Sequence, residues 1–424
     1  MKKIFAAPIA ACAVLLASVC AFAQEDANGT AAKKFKLVLG EPSVVAQGPT
    51  YKEAGWGPFQ FPGLMRTADG KIFCSFSAGP DNTESYEYKS NIPHSYVSDD
   101  QGKTWRLPDG KPILAEDWKT RVNFIARNAA AAEWIDKYEP VWKSEDGKRR
   151  LYYAKDAPEF AQTLEAISYD ASGKGTAWRA TIDWPYMPIV YENGRVMQTT
   201  SWAALGSNRI ALPNGKTYFA IYAHGFDCET GAVAYGWHYN VYVFSSDDGG
   251  RNWRYESQIL TTPEYCSENH EGFCEPCMNI LPDGSVAMLM RTGSGTPSYF
   301  VRSTDSCKTW SKPEKFDDVG VLPKMITLGC GVTLASYGRP GVFVRGTAAV
   351  DGGAWGPRVD LGIKGDAATS GQYSCCYTSL IPLDDRTALL AYSDFQYPSR
   401  NDPDKPVKTI LVRTVTVIFE SERN

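Results

Sequence analysis

Short runs rich in β-branched and aromatic residues recur along this chain, and each ends at the same kind of polar turn. His94-Ser95-Tyr96-Val97, Asn240-Val241-Tyr242-Val243-Phe244 and Tyr299-Phe300-Val301-Arg302 read as strands. Each is followed by one pattern, Ser-x-Asp-x-Gly-x-Thr-Trp: Ser98 to Trp105, Ser246 to Trp253, and Ser303 to Trp310. Asn252 replaces Thr in the second copy and Cys307 replaces Gly in the third, while Ser, Asp and Trp keep their spacing. In such a turn Ser and Asp side chains bond nearby backbone amides, Gly supplies a positive φ, and the Trp packs back beside the turn on the next strand. The unit is strand, turn, strand, and its recurrence predicts one supersecondary element used several times.

Weaker copies extend the series. Ser168-Tyr169-Asp170 is followed by Gly175-Thr176-Ala177-Trp178, and Ala349 to Trp355 keeps the Asp, the Gly and the Trp. Apolar strands also follow turn signals at Ala68-Asp69-Gly70, Leu212-Pro213-Asn214-Gly215 and Leu281-Pro282-Asp283-Gly284. Radial stacking of small antiparallel sheets accommodates so many short strands without long open edges, so the pattern predicts an all-β chain folded as a β-propeller.

Composition adjusts this picture in a few places. The 424 residues suffice for one large all-β domain, and no Pro/Ser-rich linker divides them. Residues 1–23 read as a secretory signal: Lys2-Lys3, an apolar stretch from Ile4 to Val19, and Ala21-Phe22-Ala23 as the cleavage site. A secreted or periplasmic location is therefore expected. Cys20 raises the alternative of a lipid anchor, against which the bulk of Val19 weighs. Residues 24–40 read as a polar leader and 41–424 as a single domain. No other stretch approaches the ~20 apolar residues of a membrane span. Loss of Lys2 and Lys3 takes the formal charge from -4 to -6 with no basic run, which argues against nucleic acid as a partner. Nine cysteines remain after cleavage. Cys274-x-x-Cys277 has the spacing of a metal knuckle, but with only four His in the chain, buried thiols or one or two disulfides are expected and no metal or cofactor. Twelve Trp and 23 Tyr suit both strands and a carbohydrate site.

The boxes, together with the segments around Glu275, Arg291, Arg339 and Tyr377, make the chain resemble the sialidase (neuraminidase) superfamily, from about Phe59 to Phe395. The resemblance implies a six-bladed propeller of four-stranded antiparallel sheets and an exo-glycosidase active as a monomer on sialylated glycans. Glu275 in Gly272-Phe273-Cys274-Glu275-Pro276 matches the family's strand-borne Glu, and Arg291 matches the Arg one hairpin later. Arg339 in Ser336-Tyr337-Gly338-Arg339-Pro340 matches the third Arg of the substrate triad, and Tyr377 in Cys376-Tyr377-Thr378-Ser379-Leu380 the nucleophile. The first triad Arg has no counterpart: Gln60 in Gln60-Phe61-Pro62 stands at its place. A Gln amide donates hydrogen bonds to a carboxylate but brings no charge.

For the acid/base, the loop Gly79 to Glu87 offers Asp81 and Glu84, with Asp81 preferred by residue type. A Tyr hydroxyl deprotonated by a neighbouring Glu attacks a carbon that bears a carboxylate without bringing a full anion to it, and guanidinium forks suit that carboxylate. Each residue has a plainer role open to it: Glu275 as a solvent-facing strand end, the arginines as edge charges, Tyr377 as a rim aromatic. Two alternatives stay open. One is a hydrolase or lyase for uronic-acid glycans using His270 or Glu84. The other is a non-catalytic glycan-binding propeller, in which Tyr377 and Glu275 would not touch.

Overall fold

The computed structural model describes residues 34–81, 93–110, 132–156, 174–192, 209–366 and 368–420, with the short stretches 24–25, 31–32, 113, 123–125, 163–169 and 194–198. The signal at 1–23 and Glu84 lie outside the described residues. Within them the chain is all-β: the one α-helix is the single turn Tyr51–Ala54, closed by a capping box between Thr50 and Glu53. No helix among the described residues is long and apolar enough to cross a membrane.

From Arg209 onward the strands follow one rule, each pairing antiparallel with the next in the chain. Arg209–Ala211, Thr217–His224, Tyr239–Ser246 and Asn252–Ile259 form one such sheet. Cys274–Ile280, Val286–Arg291, Ser298–Ser303 and Glu314–Asp317 form the next. Val321–Thr327, Thr333–Gly338, Val342–Thr347 and Val359–Asp360 form a third. Ser379–Pro382, Thr387–Pro398 and Pro406–Phe419 form the last, completed by two strands from the other end of the chain, Phe35–Leu39 and Ser43–Gln47. Residues 35–39, expected in the polar leader, are thus a sheet strand, because Leu37 and Leu39 pack into the apolar cluster of Leu411, Val415 and Val417. The first sheet, Gln60–Arg66, Ile72–Ser77 and Ser95–Ser98, follows the same order and gains a bridge from Val97 to Arg106.

The segment 123–198 departs from that rule. Its strands interleave into two sheets, one of Asn123–Ile125, Thr163–Tyr169 and Gly175–Asp183, the other of Trp142–Lys143, Arg149–Tyr153, Pro188–Glu192 and Arg195–Gln198. Gly175–Asp183 also pairs in parallel with Asn252–Ile259, fusing the first of these to the sheet that follows.

The boxes lock the turns between third and fourth strands. Ser98 Oγ accepts the Gly102 amide at 2.8 Å, Asp100 Oδ1 accepts the Thr104 amide at 2.8 Å, and the Trp105 indole donates to the Gly102 carbonyl at 3.1 Å. The second box repeats this through Ser246, Asp248 and Trp253. The third does so through Ser303 and Asp305, except that Trp310 donates to Ser257 Oγ, and Cys307 takes the positive φ (64°) in place of Gly. Asp100 is pulled to a pKa of about 2 by the Thr104 amide above all. Asp248 and Asp305 reach about 2 although burial opposes it, through the amides and side chains of Asn252 and Thr309. Gly102, at φ 88°, lies against Leu389 of the last sheet, where a Cβ would come within 2.8 Å of that side chain.

Neighbouring sheets face each other through apolar side chains. Tyr218, Val241 and Val243 meet Met278, Met288 and Met290, and Leu289 and Ala287 meet Ala335 and Tyr337. Leu389, Ala391 and Ile410 of the last sheet meet Phe59, Ile72 and Cys74 of the first. Each buried large side chain contributes about 1.5–3 kcal/mol, so these faces, more than the turns, hold the sheets together. The nine cysteines among the described residues are all unpaired thiols, eight of them buried.

Candidate active site

Antiparallel pairing puts the start of each first strand and the end of each second strand at the face opposite the box turns. Glu275, Arg291 and Arg339 all lie at that face: Cys274 pairs with Arg291, and Gly338, just before Arg339, pairs with Val321. The boxes therefore hold the scaffold from the far end.

A repeated backbone device shapes this face. The register shifts between Cys274 and Cys277, between Val321 and Lys324, and between Gln60 and Gly63. Inside each shift a residue with positive φ precedes a proline: Glu275 (47°) before Pro276, Leu322 (37°) before Pro323, Phe61 (54°) before Pro62. Such bulges re-aim a side chain out of the alternating pattern of a strand. The last sheet does the same without proline, with Cys376 at φ 60° just before Tyr377.

The result is a compact cluster. The Tyr377 hydroxyl donates to Glu275 Oε1. The other carboxylate oxygen is held by Arg291 Nη1 at 2.9 Å and by the Leu322 amide at 2.8 Å. Arg291, 5% exposed, also donates through Nη2 to Glu271 Oε1 at 2.5 Å. Its Nε is buried without a protein partner. Arg339 donates to the Cys375 carbonyl at 2.6 Å and to Ser294 Oγ at 3.2 Å, with its guanidinium 5.5 Å from the Tyr377 ring centroid and 5.4 Å from that of Trp56. The turn that carries Arg339 is tight: a Cβ on Gly338 would lie 2.2 Å from the Gly341 carbonyl and 2.9 Å from Cys376 Cβ.

Burial, then the Glu275 charge, pushes the Tyr377 phenol well above its ordinary pKa, with Arg291 and Arg339 pulling the other way. Burial works against the charge on Arg291, but Glu275 and Glu271 outweigh it and keep the guanidinium protonated. Tyr377 is thus a phenol at rest, hydrogen-bonded to an oriented carboxylate able to accept its proton.

Asp81 sits at the edge of this cluster, exposed, with Oδ2 accepting the Trp56 indole N–H at 2.8 Å. Trp56 meets the Phe61 ring edge-on at 6.2 Å, and Phe61 packs on Tyr377 at 4.8 Å. Gln60 is fully buried with neither amide atom partnered by protein, and Phe61 is the residue of that strand against the Tyr377 ring. Reading residue types alone missed Trp56, Phe61, the Leu322 amide, Glu271, Lys324 and Tyr222. Lys324 lies near enough to Glu275 to feel its charge while burial pushes its own pKa down, and Tyr222, raised by burial, feels Glu275 and Tyr377. The x-Pro step shared by Glu275, Leu322 and Phe61 was the available sign. His270 lines an adjoining cleft with Glu271. No group of three or more His, Cys, Asp or Glu among the described residues is placed to hold a metal ion.

No curated protein matches the sequence. A structure of a protein of unknown function from Dyadobacter fermentans shares 17% identity and a TM-score of 0.54, over 90% of this chain and 99% of its own. The intramolecular trans-sialidase of Ruminococcus gnavus aligns at 15% identity and TM-score 0.43, over 90% and 98% of the two chains. An α-L-arabinanase of Penicillium chrysogenum aligns at 14% identity and TM-score 0.45, over 91% and 99%. Residues 136–324 match the BNR repeat-like domain, which supports a relationship of the chain to the sialidase and BNR-repeat superfamily.

Proposed function

We propose that the protein is a retaining exo-glycosidase that removes a terminal acidic sugar, sialic acid in the first instance, from glycans, on a six-bladed propeller. The observation that carries this reading is the hydrogen bond from Tyr377 to Glu275 between two arginines. A non-catalytic propeller has no use for a buried carboxylate fixed on one oxygen by Arg291 and the Leu322 amide and left to a phenol on the other.

The chemistry runs in two displacements. Tyr377 Oη attacks the anomeric carbon as its proton passes to Glu275, and the glycosidic C–O bond breaks as Asp81 protonates the leaving oxygen. Asp81 then takes a proton from water, whose oxygen displaces the tyrosyl, and Glu275 returns its proton to Tyr377. Two inversions give net retention. Arg339 and the Nε side of Arg291 face the substrate carboxylate.

A second reading, an enzyme for uronic-acid glycans, draws support from Gln60. Its amide is fully buried and uncharged, so two arginines stand where a sialoside grip uses three. On either reading the protein is exported by residues 1–23 and acts as a monomer.

The test is release of free sialic acid from α2,3- and α2,6-linked fluorogenic sialosides by the mature protein beside Tyr377→Phe. Wild-type turnover with a loss of at least 1,000-fold in the variant, about 4 kcal/mol of transition-state stabilisation, supports the sialidase reading. Turnover of glucuronides alone, with or without an unsaturated product absorbing in the ultraviolet, moves it to the second.

A further inference from the structure

Asp81 is an exposed residue, yet two neighbours in another segment fix where it sits. The Trp56 indole donates to its carboxylate at 2.8 Å. Gly57, at φ 118°, lies so close that a Cβ there would come within 2.4 Å of the Asp81 amide nitrogen and 2.5 Å of the Gly79 carbonyl. The Arg339 guanidinium lies over the same Trp56 ring at 5.4 Å. Whatever holds residues 55–57 therefore holds Asp81 and touches one of the arginines.

That hold comes from the last sheet. Lys408, in the strand Pro406–Phe419, is fully buried, a state that lysines rarely enter unless paired. Its backbone accepts from the Gly48 amide at 2.8 Å and donates to the Pro49 carbonyl at 2.9 Å, and its Nζ donates to the Gly55 carbonyl at 2.7 Å. Rings surround the ammonium: Phe395 at 4.3 Å and Tyr51 at 5.6 Å, themselves stacked at 5.7 Å. Burial pulls its pKa down to about 8, Cys375 pulls the other way, and no described carboxylate contributes. A buried cation without a counter-charge is a cost to the fold, and Met would fill the same cage without it. The one hydrogen bond that Nζ makes among the described residues is to the carbonyl just before Trp56.

We infer that Lys408 is a positioning residue for acid catalysis: it fixes the turn at Gly55 so that Trp56 presents its indole N–H to Asp81. The inference rests on the reading of Asp81 as the acid of a glycosidase and adds the group that places it. Lys408 touches neither substrate nor reacting atoms; it acts through Gly55 and Trp56 on a carboxylate that otherwise stands in water. Loss of its ammonium frees the Gly55 carbonyl, and the indole then no longer holds Asp81 against the leaving oxygen.

Leaving groups separate this role from a merely structural one. A methoxide must take the proton of Asp81 as it departs, whereas a nitrophenolate leaves as a stable anion. In Lys408→Met, kcat/KM for methyl sialoside should fall about 10- to 100-fold, part of the ~10²–10⁴ that a general acid supplies, and kcat/KM for nitrophenyl sialoside should change less than about threefold. In the Asp81→Asn background the same substitution should cost methyl sialoside nothing further, because the two residues act as one unit. The methyl and nitrophenyl glucuronides replace the sialosides where the wild type turns over only those. Lys408→Gln carries the same expectations where the Met variant does not fold. The Trp56 indole ¹H–¹⁵N resonance, identified by its loss in Trp56→Phe, should move in Lys408→Met and in Asp81→Asn. Equal losses on both glycosides, losses that add to those of Asp81→Asn, or an unmoved indole resonance overturns the inference. Wild-type turnover with Lys408→Met indistinguishable from it sinks the role of Lys408 alone. No turnover of any acidic glycoside, with the indole resonance moving in both variants, sinks the glycosidase reading and leaves the coupling of Lys408 to Asp81 standing.

Discussion

The stretch from Arg209 to Phe419 and the stretch from Asn123 to Gln198 are built from the same material and fold by different rules. In the first, every strand pairs with its chain neighbour; in the second, two sheets interleave and one strand joins a later sheet in parallel. The boxes differ between the two regions as well. Trp253 donates to the Gly250 carbonyl inside an intact box, and Trp310 to Ser257. Trp178, at the end of a decayed copy, has a buried indole N–H with no partner. A box closes a hairpin of fixed length and so fixes which residues face each other. The decayed copy from Ala349 to Trp355 leaves its Trp indole unpartnered too, yet Val342–Thr347 still pairs with Val359–Asp360, so decay of a box permits a change of partner without forcing one.

The largest effect that would break this contrast is in the core. Trp253, 1% exposed and packed edge-on to Phe219 at 4.3 Å, should cost about 3–5 kcal/mol on substitution by Ala. Trp178→Ala, at a partly buried ring with no indole partner, should cost about 1–2 kcal/mol. Urea denaturation of the two variants gives the comparison, and equal losses would mean that the boxes add nothing beyond burial.

Much of the regular half was legible before the structure. The turns at Asp69-Gly70, Asn214-Gly215 and Asp283-Gly284 close between first and second strands as read, each Gly amide donating to the carbonyl three residues back. Asp351 does bond the Gly353 amide in the decayed box. Legibility ended where contacts span the chain. Phe35–Leu39 reads as a polar leader because its partner, Pro406–Phe419, is at the other end of the sequence. Trp56 reads as an isolated aromatic until the fold sets it between Asp81 and Arg339. Gln60 was matched by order along the strand, whereas the bulge puts Phe61 on Tyr377.

A second, smaller effect separates the regions by pH. Asp100, Asp248 and Asp305 have folded pKa values of about 2, below the ~3.9 of an unfolded Asp. A depressed carboxylate contributes stability that is complete above the unfolded value and is lost as pH falls through the folded one. Hydrogen exchange between pH 5 and 2.5 should therefore show box-bearing sheets losing protection below about pH 4, with Asp248→Asn flattening the slope around Trp253. An unchanged slope in that variant would detach the boxes from acid stability.

The smallest effect concerns the boundary where the two regions meet at the site. Glu271 is bound to Arg291 Nη2, and its side chain is 44% exposed while Arg291 is buried. A half-exposed carboxylate on a buried guanidinium stands where a substrate carboxylate would compete, and displacing it costs little because water receives it. Glu271→Gln keeps the side-chain shape and one hydrogen-bond acceptor but removes the charge, while Glu275 still holds the other end of Arg291. KM for an acidic glycoside should fall two- to fivefold with kcat nearly unchanged, since ground state and transition state carry the same carboxylate. A rise in KM, or a fall in kcat to match, would show that Glu271 orients Arg291 for the chemistry and does not compete with substrate.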